Sequence, residues 1–579
     1  MALGITGRPR WPAALSALST VGASAAIALW SPGTAAQVAP DAGSLLRQFQ
    51  QNTPAPGPAP LAPPPAIPEA PLPQSTGATV LVRGFHIVSK VVPEAVLQDV
   101  VKEYIGRDLT LGDLESAALK ISDYYRNLNL LARAYVPPQT VKNGIVEIVV
   151  LEGRLGEVLV DPSSDARLDP AMAAGIVKAR VPAGEELYIS SIGEGVQVLN
   201  EVPGTAATAS LAPGAEPGET NVVLKTTNTP IVTGQIEADN EGLRATGEHR
   251  AMPYFSVNNP LGFGEQATGM GLFSSSSRYG RVTLAAPVGY SGLTFGVAAS
   301  TLSYELGAPF AALGQSGIAY TVGPTAAYPI LRGPTLSLTA SANFDHKRFI
   351  NTALGTTLSD KEADVAVTRL NGTLTDDLIG GGLNTFGIGV SFGNLDLSRN
   401  AVNLAADHVT ARSNGTYAKL LWNASRAQKI DEDLEFYLGV YGQLAANNLD
   451  SSEQIALGGP AGVRAYPSNE AAGDTGALWT AELRYKPVTD VRVFAFYDGG
   501  WILQHTTTWP GWQPVPGQPN SYVLQGIGVG TAWAPIEAVL ARAMVSHPLG
   551  DNPGHTATGS DSDGRHEQVR VFAELSVRF

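Results

Sequence analysis

Few side chains in this sequence are of the types that catalyse reactions or bind metals, and their spacing matches no catalytic motif that we recognise. One group has metal-ligand chemistry: His555, Asp561, Asp563 and His566. A solvated polar loop is the better interpretation of that group. Residues 526–530 alternate glycine, but no helix follows them and no lysine is placed as in a phosphate-binding loop, so a glycine-containing strand is predicted. The chain has no cysteine, which excludes disulfides, thiolate metal sites and a cysteine nucleophile. We therefore expect no enzyme activity, no metal and no cofactor.

The charge balance and the N-terminus limit the partners and the location. Lys and Arg number 38 against 52 acidic residues, which gives a net charge of −14 and argues against a nucleic-acid partner. Arg8 and Arg10 precede an apolar run over residues 11–30, and small residues follow as far as Ala36. This order predicts a signal peptide over residues 1–36 that is cleaved on export. A membrane anchor is the alternative, but Ser, Thr and Gly inside the run favour cleavage.

A short helix and a proline-rich segment follow. Residues 37–51 contain an amphipathic helix in which Leu45, Leu46 and Phe49 share one face. Such a helix is too short to be stable alone in water, so it must pack on another part of the chain. Residues 52–78 are rich in proline, which favours an extended polyproline II spacer.

Two α+β units are predicted next. In residues 79–153 the apolar pattern predicts the order β-α-α-β-β, and Thr110 with Asp113 forms a capping-box-like pair at the second helix. Residues 154–228 repeat the order more loosely, so an internal duplication is the simplest interpretation.

Residues 231–579 show strict alternation of apolar and polar residues, and no helix is predicted there. A water-soluble sandwich also alternates. A transmembrane barrel is favoured because the segments are long enough to cross a bilayer and the second face carries charged side chains at mid-strand. Strands inside lipid must close into a barrel, since lipid cannot satisfy backbone polar groups.

Two short motifs point to a family. Residues 462–466 read G-V-R-A-Y and residues 496–500 read F-Y-D-G-G. With the layout above, they resemble the outer-membrane transporters of two-partner secretion, of the filamentous-haemagglutinin and haemolysin type (ShlB/FhaC-like), within the BamA superfamily. The resemblance covers essentially the whole mature chain. It implies a plug helix, a linker, two periplasmic POTRA domains (79–153 and 154–228) and an antiparallel β-barrel of about sixteen strands (231–579).

The resemblance also assigns site residues. The V-R-G-Y motif of the family's sixth extracellular loop matches three residues and departs at Ala465: Val463, Arg464 and Tyr466. The F-x-D-x-G motif of the barrel wall matches in full: Phe496, Asp498 and Gly500. It is implied that the loop folds into the lumen and that Arg464 meets Asp498. Leu45, Leu46 and Phe49 would belong to the plug. Terminal Phe579 resembles a barrel-assembly signal, and it is equally the last lipid-facing residue.

The function implied is export of an unfolded secreted partner protein from the periplasm through the pore, in the outer membrane of a Gram-negative bacterium. Lipid and the barrel assembly machinery would be further partners. Two other classes remain open. A factor that inserts other barrels would normally have more periplasmic modules. A passive porin would lack the units at residues 79–228.

Overall fold

The structure is a computed structural model that describes residues 39–51, 77–181 and 186–579. The predicted signal peptide lies outside the described residues, and so does the proline-rich segment apart from residues 77–78. Among the residues described, no helix has the length and the apolar composition needed to cross a bilayer. The N-terminal helix, α1, spans Ala42–Gln51.

The first α+β unit has a main sheet of three strands in the order β2-β5-β4, with β2 and β5 parallel. Its elements are β1 Val80–Val82, β2 Gly84–Val88, α2 Glu94–Val100, β3 Arg107–Leu109, α3 Leu111–Asn127, β4 Ala132–Tyr135 and β5 Ile145–Glu152. The apolar pattern of residues 80–88 predicts a single strand, but the structure has two. The strand divides at Arg83 because β1 pairs with β3 outside the main sheet. The predicted capping box between Thr110 and Asp113 is present at α3.

The second α+β unit repeats this sheet in the order β6-β8-β7, again with a parallel pair. Its elements are β6 Arg154–Val160, α4 Pro170–Lys178, α5 Ile189–Asn200, β7 Thr205–Pro213 and β8 Glu219–Asn228. Each unit has its own apolar core between the sheet and the helices.

Sixteen antiparallel strands then close into a barrel in which β26 pairs with β9. They are β9 Val232–Asp239, β10 Arg250–Asn258, β11 Gln266–Phe273, β12 Ser277–Pro287, β13 Thr294–Glu305, β14 Gln315–Arg332, β15 Leu336–Ala353, β16 Thr356–Asp376, β17 Gly382–Asp396, β18 Gly415–Lys429, β19 Leu434–Ala445, β22 Thr475–Val488, β23 Val491–Leu503, β24 Ser521–Ile536, β25 Val539–Pro548 and β26 Arg570–Arg578. The expected fold class is confirmed: a sixteen-stranded antiparallel barrel preceded by an α+β region and a helix.

The prediction that the barrel region contains no helix is wrong. Helix α6, Ala401–Val409, lies in the loop between β17 and β18. Asn400 caps it, because its side chain accepts hydrogen bonds from the backbone N–H of Val402 and Asn403. A nine-residue insertion between two strongly alternating strands carries too little periodicity of its own to be recognised.

The two ends of the barrel differ. The end nearest the α+β units has short turns, whereas the far end has long loops at residues 446–474, 504–520 and 549–569. The second α+β unit is attached at the near end. The Arg180 Nη2 donates to the backbone oxygens of Ser291 and Pro329 at 2.7 Å each. The second α+β unit therefore covers one side of the near end, and long loops surround the far end.

Candidate functional site

The far-end loop at residues 446–474, called loop six below, folds back into the barrel. Its two arms pair as the short strands β20, Ile455–Ala456, and β21, Ala472–Gly473. The tip is tightened by a hydrogen bond from Val463 N to Leu457 O at 2.7 Å. At the tip Gly459 has φ of +119°, a backbone conformation that favours glycine. The loop thereby presents the arginine of its motif to the wall.

Arg464 forms a two-pronged ion pair with Asp498 on β23. Its Nε donates to Asp498 Oδ2 and its Nη2 donates to Oδ1, both at 2.7 Å. The guanidinium lies 3.4 Å from the centre of the Phe496 ring, a cation–π contact. Arg464 is 4% exposed and Asp498 is 1% exposed, so the pair is shielded from solvent. Such a fork fixes direction as well as distance.

A second carboxylate, outside both motifs, belongs to this cluster. Arg464 Nη1 donates to Glu482 Oε1 at 2.7 Å, and Arg484 Nε donates to Glu482 Oε2 at 2.8 Å. Although burial opposes the charged form, Asp498 and Glu482 raise the pKa of Arg464. Alternation along β22 places Glu482 and Arg484 on the lumen side. Two charged side chains on the lumen face of one strand were the feature of the sequence that could have predicted this part of the cluster.

The rest of the loop motif packs against the wall. Val463 and Tyr466 are 0% and 2% exposed, within an apolar cluster that also includes Leu478, Ile502 and Leu524. Ala465 stands where the family has glycine, but it is absent from the residues with positive φ, so its methyl group is tolerated.

Two glycines of the wall make room for the loop. A Cβ at Gly500 would lie 2.9 Å from the Leu457 side chain, and a Cβ at Gly526 would lie 2.5 Å from the Ala465 Cβ. Residues 526–530, considered above as a phosphate loop, lie within β24. Glycine is therefore used here for close approach of loop six to the strands.

Helix α1 lies inside the barrel and buries its apolar face against the wall. Leu45, Leu46 and Phe49 are each at most 2% exposed. The Phe49 ring centre is 5.9 Å from that of Tyr279 on β12. The same apolar cluster includes residues of many strands, among them Leu302, Ala319, Phe349, Val365 and Leu395. The barrel is thus filled at this level by a helix that is not part of the sheet.

Polar contacts fix the start of α1 to both the wall and loop six. Asp41 Oδ2 is 3.0 Å from Lys361 Nζ on β16, and the same ammonium is 2.6 Å from Asp450 Oδ2 of loop six. Ser451 Oγ donates to Asp41 Oδ2 at 2.8 Å. The Ala42 N donates to Asn351 Oδ1 at 2.8 Å. One lysine therefore forms ion pairs with both the helix and the loop.

Arg47 of α1 reaches the two arms of loop six. Its Nη1 donates to Gln454 O at 2.6 Å, and its Nη2 donates to Asn469 Oδ1. Burial lowers the pKa of Arg47 to about 10, which neighbouring acids including Asp41 partly offset. The helix and the loop thus form one packed unit within the barrel.

A second buried ion cluster joins loop six to the wall. Glu453 accepts from Lys347 Nζ at 2.8 Å and lies 2.9 Å from Lys419 Nζ. Burial alone would raise the pKa of Glu453, but the two ammonium groups lower it to about 2.

Farther along loop six, burial and the neighbouring Asp561 raise the pKa of Glu470 to about 7.

The remaining predicted residues lie apart from this cluster. Phe579 exchanges two backbone hydrogen bonds with Gly234 on β9, at 2.9 and 3.0 Å, and is 64% exposed on the outer surface. Asp561 and Asp563, part of the group with metal-ligand chemistry, accept from Arg570 at 3.0 Å each. Within the described part of the chain, no group of metal-type side chains is arranged to hold an ion.

Comparison with known families gives two matches. A model described as "Haemolysin secretion/activation protein ShlB/FhaC/HecB" matches residues 218–531. A model described as "POTRA domain, ShlB-type" matches residues 80–153. The first match covers more than half of the chain and includes loop six and most of the barrel.

Curated relatives extend this likeness over most of the chain. The heme/hemopexin transporter protein HuxB of Haemophilus influenzae (strain 86-028NP) is 29% identical over 467 residues, which cover 79% of this chain and 81% of the relative. The outer membrane transporter CdiB of Dickeya dadantii is 24% identical over 418 residues, covering 69% and 72%.

Solved structures share the fold. CdiB from Escherichia coli superposes with a TM-score of 0.67 at 20% identity, over 94% of this chain and 100% of that chain. BamA from Haemophilus ducreyi lacking POTRA domains 1–3 gives a TM-score of 0.52 at 12% identity, over 86% and 100%. At these identities the likeness concerns architecture.

Proposed function

The chain belongs to the family of haemolysin secretion/activation proteins ShlB/FhaC/HecB, two-partner secretion transporters of the outer membrane, and from that premise we propose how it exports its partner protein. Transporters of this family export secreted proteins through the outer membrane, with the POTRA region in the periplasm. The turns nearest the α+β units are accordingly periplasmic and the long loops are extracellular. No enzyme activity belongs to this function.

The client of this chain is a secreted exoprotein that arrives unfolded in the periplasm and is recognised by two POTRA domains. We assign these to residues 79–153 and 154–228, after a signal peptide (1–36), a plug segment (37–51) and a linker (52–78), and before the barrel (231–579). Exposed sheet edges offer backbone hydrogen bonds to an extended chain with little demand on its sequence. Lipid surrounds the barrel, and the barrel assembly machinery inserts it, with Phe579 as part of the signal.

Export requires the lumen to open. In the resting state α1 fills it, and withdrawal of α1 on its linker makes room for the client. Loop six stays on the wall through Arg464 and Asp498, which keeps the pore in a defined shape. The observation that carries this proposal is the seating of α1 in the closed barrel, with Asp41 on Lys361 at 3.0 Å.

A conductance measurement tests whether α1 blocks the pore at rest. The mature chain and a variant lacking residues 37–78 are compared as single channels in planar bilayers. The deletion is expected to raise the conductance at rest and the fraction of time open. Leu378→Ser, in an exposed periplasmic turn, is the matched control and should conduct as the intact chain does. Equal conductance with and without residues 37–78 would rule out the plug.

A cross-linking experiment separates export from barrel insertion, the alternative in the same superfamily. Photo-reactive residues placed within 79–228 of the full chain are activated in living cells. Recovery of one large secreted protein supports export. Recovery of barrel precursors instead would assign the chain to outer-membrane barrel assembly.

A further inference from the structure

The lumen of the barrel has two unlike walls. On β22 and β23 the lumen-facing side chains include the charged and aromatic residues Glu482, Phe496 and Asp498, and loop six is bound there. Across the lumen, the periplasmic and middle parts of β13 to β15 carry mostly small side chains or side chains with a hydroxyl or amide. Asp345, which accepts from Asn343 Nδ2 at 2.7 Å, and Lys347 are the charged residues of this face on β15. We call this surface the hydroxyl face and define it by six residues: Ala298, Ser300, Thr321, Thr325, Ser341 and Asn343.

Strand pairing establishes that this face looks into the lumen. Thr321 lies directly opposite Ser300 on one side and Lys347 on the other. Lys347 reaches Glu453 of loop six inside the barrel, so the whole row faces inward. The next residue, Val322, is 48% exposed on the outer surface, as alternation requires.

The hydroxyl face carries hydrogen-bonding groups that the fold does not use. Ser300 Oγ and Thr321 Oγ1 have no partner among the described residues, although the side chains are only 8% and 4% exposed. They form a cross-strand pair, so their two hydroxyls point together into the lumen. Buried polar groups are usually satisfied, and an unsatisfied pair calls for an explanation. Hydroxyls both donate and accept, so they suit a ligand that offers N–H and C=O groups in alternation.

The hydroxyl face continues into the attachment site of the second POTRA domain. A cleft of about 200 Å³ separates helix α5 of that domain from the periplasmic ends of these strands. Val198 and Val202 of α5 line one side, while Ala327 and Thr339, which continue the hydroxyl face on β14 and β15, line the other. The bonds from Arg180 hold the domain at this position. A polypeptide leaving this domain meets the hydroxyl face before it meets the loop-six wall.

Helix α1 covers the extracellular part of the same strands. Leu302 and Tyr304 on β13, Ala319 on β14 and Phe349 on β15 belong to the apolar cluster of α1. When α1 withdraws, the space that opens is therefore above the hydroxyl face, whereas the loop-six wall is still occupied.

We propose that the exported polypeptide passes along the hydroxyl face of β13 to β15, as an extended chain whose backbone exchanges hydrogen bonds with Ser300, Thr321 and their neighbours. Small side chains leave width for any client residue, and hydroxyls bind backbone without selecting a sequence. This path rests on the proposed export function and adds its location within the pore.

Site-specific photo-cross-linking in the full chain tests the path. The client is identified as the secreted protein that disappears from the medium when the gene for this chain is deleted. The probe is this client fused to a rigid disulfide-bonded domain, which stalls it in the pore. A photo-reactive amino acid replaces Thr325 or Ser341 on the hydroxyl face. The controls are Ala532, which faces the lumen on β24, and Ala326, which faces outward beside Thr325. Heat-modifiable migration of the barrel confirms that each variant is folded.

We expect at least tenfold more cross-linked client at Thr325 and Ser341 than at either control. Equal or stronger cross-linking at Ala532 would overturn this path while leaving export intact. Normal secretion with no cross-link at any lumen position would overturn the path and passage through the barrel together. Secretion that does not depend on the chain at all would overturn the proposed function itself.

Discussion

Asp41 at the start of α1 and Lys361 on β16 form a buried ion pair, with Oδ2 and Nζ 3.0 Å apart, although 320 residues separate them in the sequence. The pair ties the proposed plug to the barrel wall at the extracellular end of the lumen. Because the same ammonium also binds Asp450, the pair couples three parts of the chain.

Neutralising Asp41 should loosen the plug. Asp41→Asn keeps a good helix-capping residue but removes the charge that faces Lys361. Loss of a hydrogen bond to a charged group costs about 1–3 kcal/mol, which corresponds to a rise in the open fraction of roughly 5- to 150-fold. Single-channel recording measures this fraction. Asp377→Asn, at an exposed periplasmic turn, is the control, and an equal effect from both variants would contradict the prediction.

Changing Arg464 should impair export without removing the barrel. Arg464→Lys keeps the charge but cannot bind Asp498 and Glu482 at once, and breaking a buried pair costs about 3–5 kcal/mol. We expect secretion to fall at least tenfold while the amount of folded barrel stays within twofold. Secreted client in the medium and heat-modifiable migration report the two quantities. Arg399→Lys, at a partly exposed site, should secrete normally. Normal secretion by Arg464→Lys would remove the proposed role of the pair.

Glu482 should share this role, which its own variant can establish. Glu482→Gln leaves one prong of Arg464 with a neutral partner, so secretion should fall less than with Arg464→Lys. Combined in one chain, the two changes should be no worse than Arg464→Lys alone, because both act on one cluster. Secretion defects that multiply in the double variant would show that Glu482 acts elsewhere.

The attachment of loop six to the last extracellular loop should depend on pH. Glu470 accepts from Asn552 Nδ2 and Ser562 N, and burial with the nearby Asp561 raises its pKa from 4.5 to about 7. A carboxyl whose pKa is raised on folding favours the folded contact below its ordinary pKa. This contribution, at most about 3 kcal/mol, is lost as the pH rises from about 4.5 to about 7.

Hydrogen exchange of loop six measures this dependence. Between pH 5 and pH 8, after correction for intrinsic rates, exchange should accelerate in the natural chain and stay flat in Glu470→Gln. Glu248→Gln, at a half-exposed site paired with Arg565, should behave as the natural chain does. Identical pH profiles for the natural chain and Glu470→Gln would contradict the prediction.

Phe579 allows a test of assembly against simple lipid contact. Phe579→Ala and Val577→Ala each remove apolar surface from the outer face of β26, where the two residues are 64% and 40% exposed. If Phe579 is part of an assembly signal, its variant should lower the amount of inserted barrel severalfold while Val577→Ala leaves it nearly unchanged. Equal losses would reduce Phe579 to a lipid contact. Quantifying heat-modifiable barrel in isolated outer membranes decides between these outcomes.

Local pattern in the sequence was sufficient for most of the architecture. Alternation identified the barrel region, and the Thr110–Asp113 cap located the start of α3. Helix α6 was missed because nine residues between long strands carry little periodicity of their own. Partners that lie far apart in the sequence, such as Asp41 with Lys361, could not be predicted, because register and tilt around a closed barrel decide which residues meet. Glu482 could have been predicted from the sequence, since alternation along β22 already places its side chain on the lumen face.

The double pairing of Lys361 has a consequence for the reversibility of opening. A lysine bound only to Asp41 would be left as a bare charge in the wall each time the helix departed, and the cost of that charge would resist departure. Asp450, 2.6 Å from the same ammonium, belongs to loop six, which in the proposed mechanism stays on the wall, so the ammonium would keep a partner after the helix leaves. The proposed opening would then be reversible over repeated cycles, because the wall would keep a balanced charge while the helix is away.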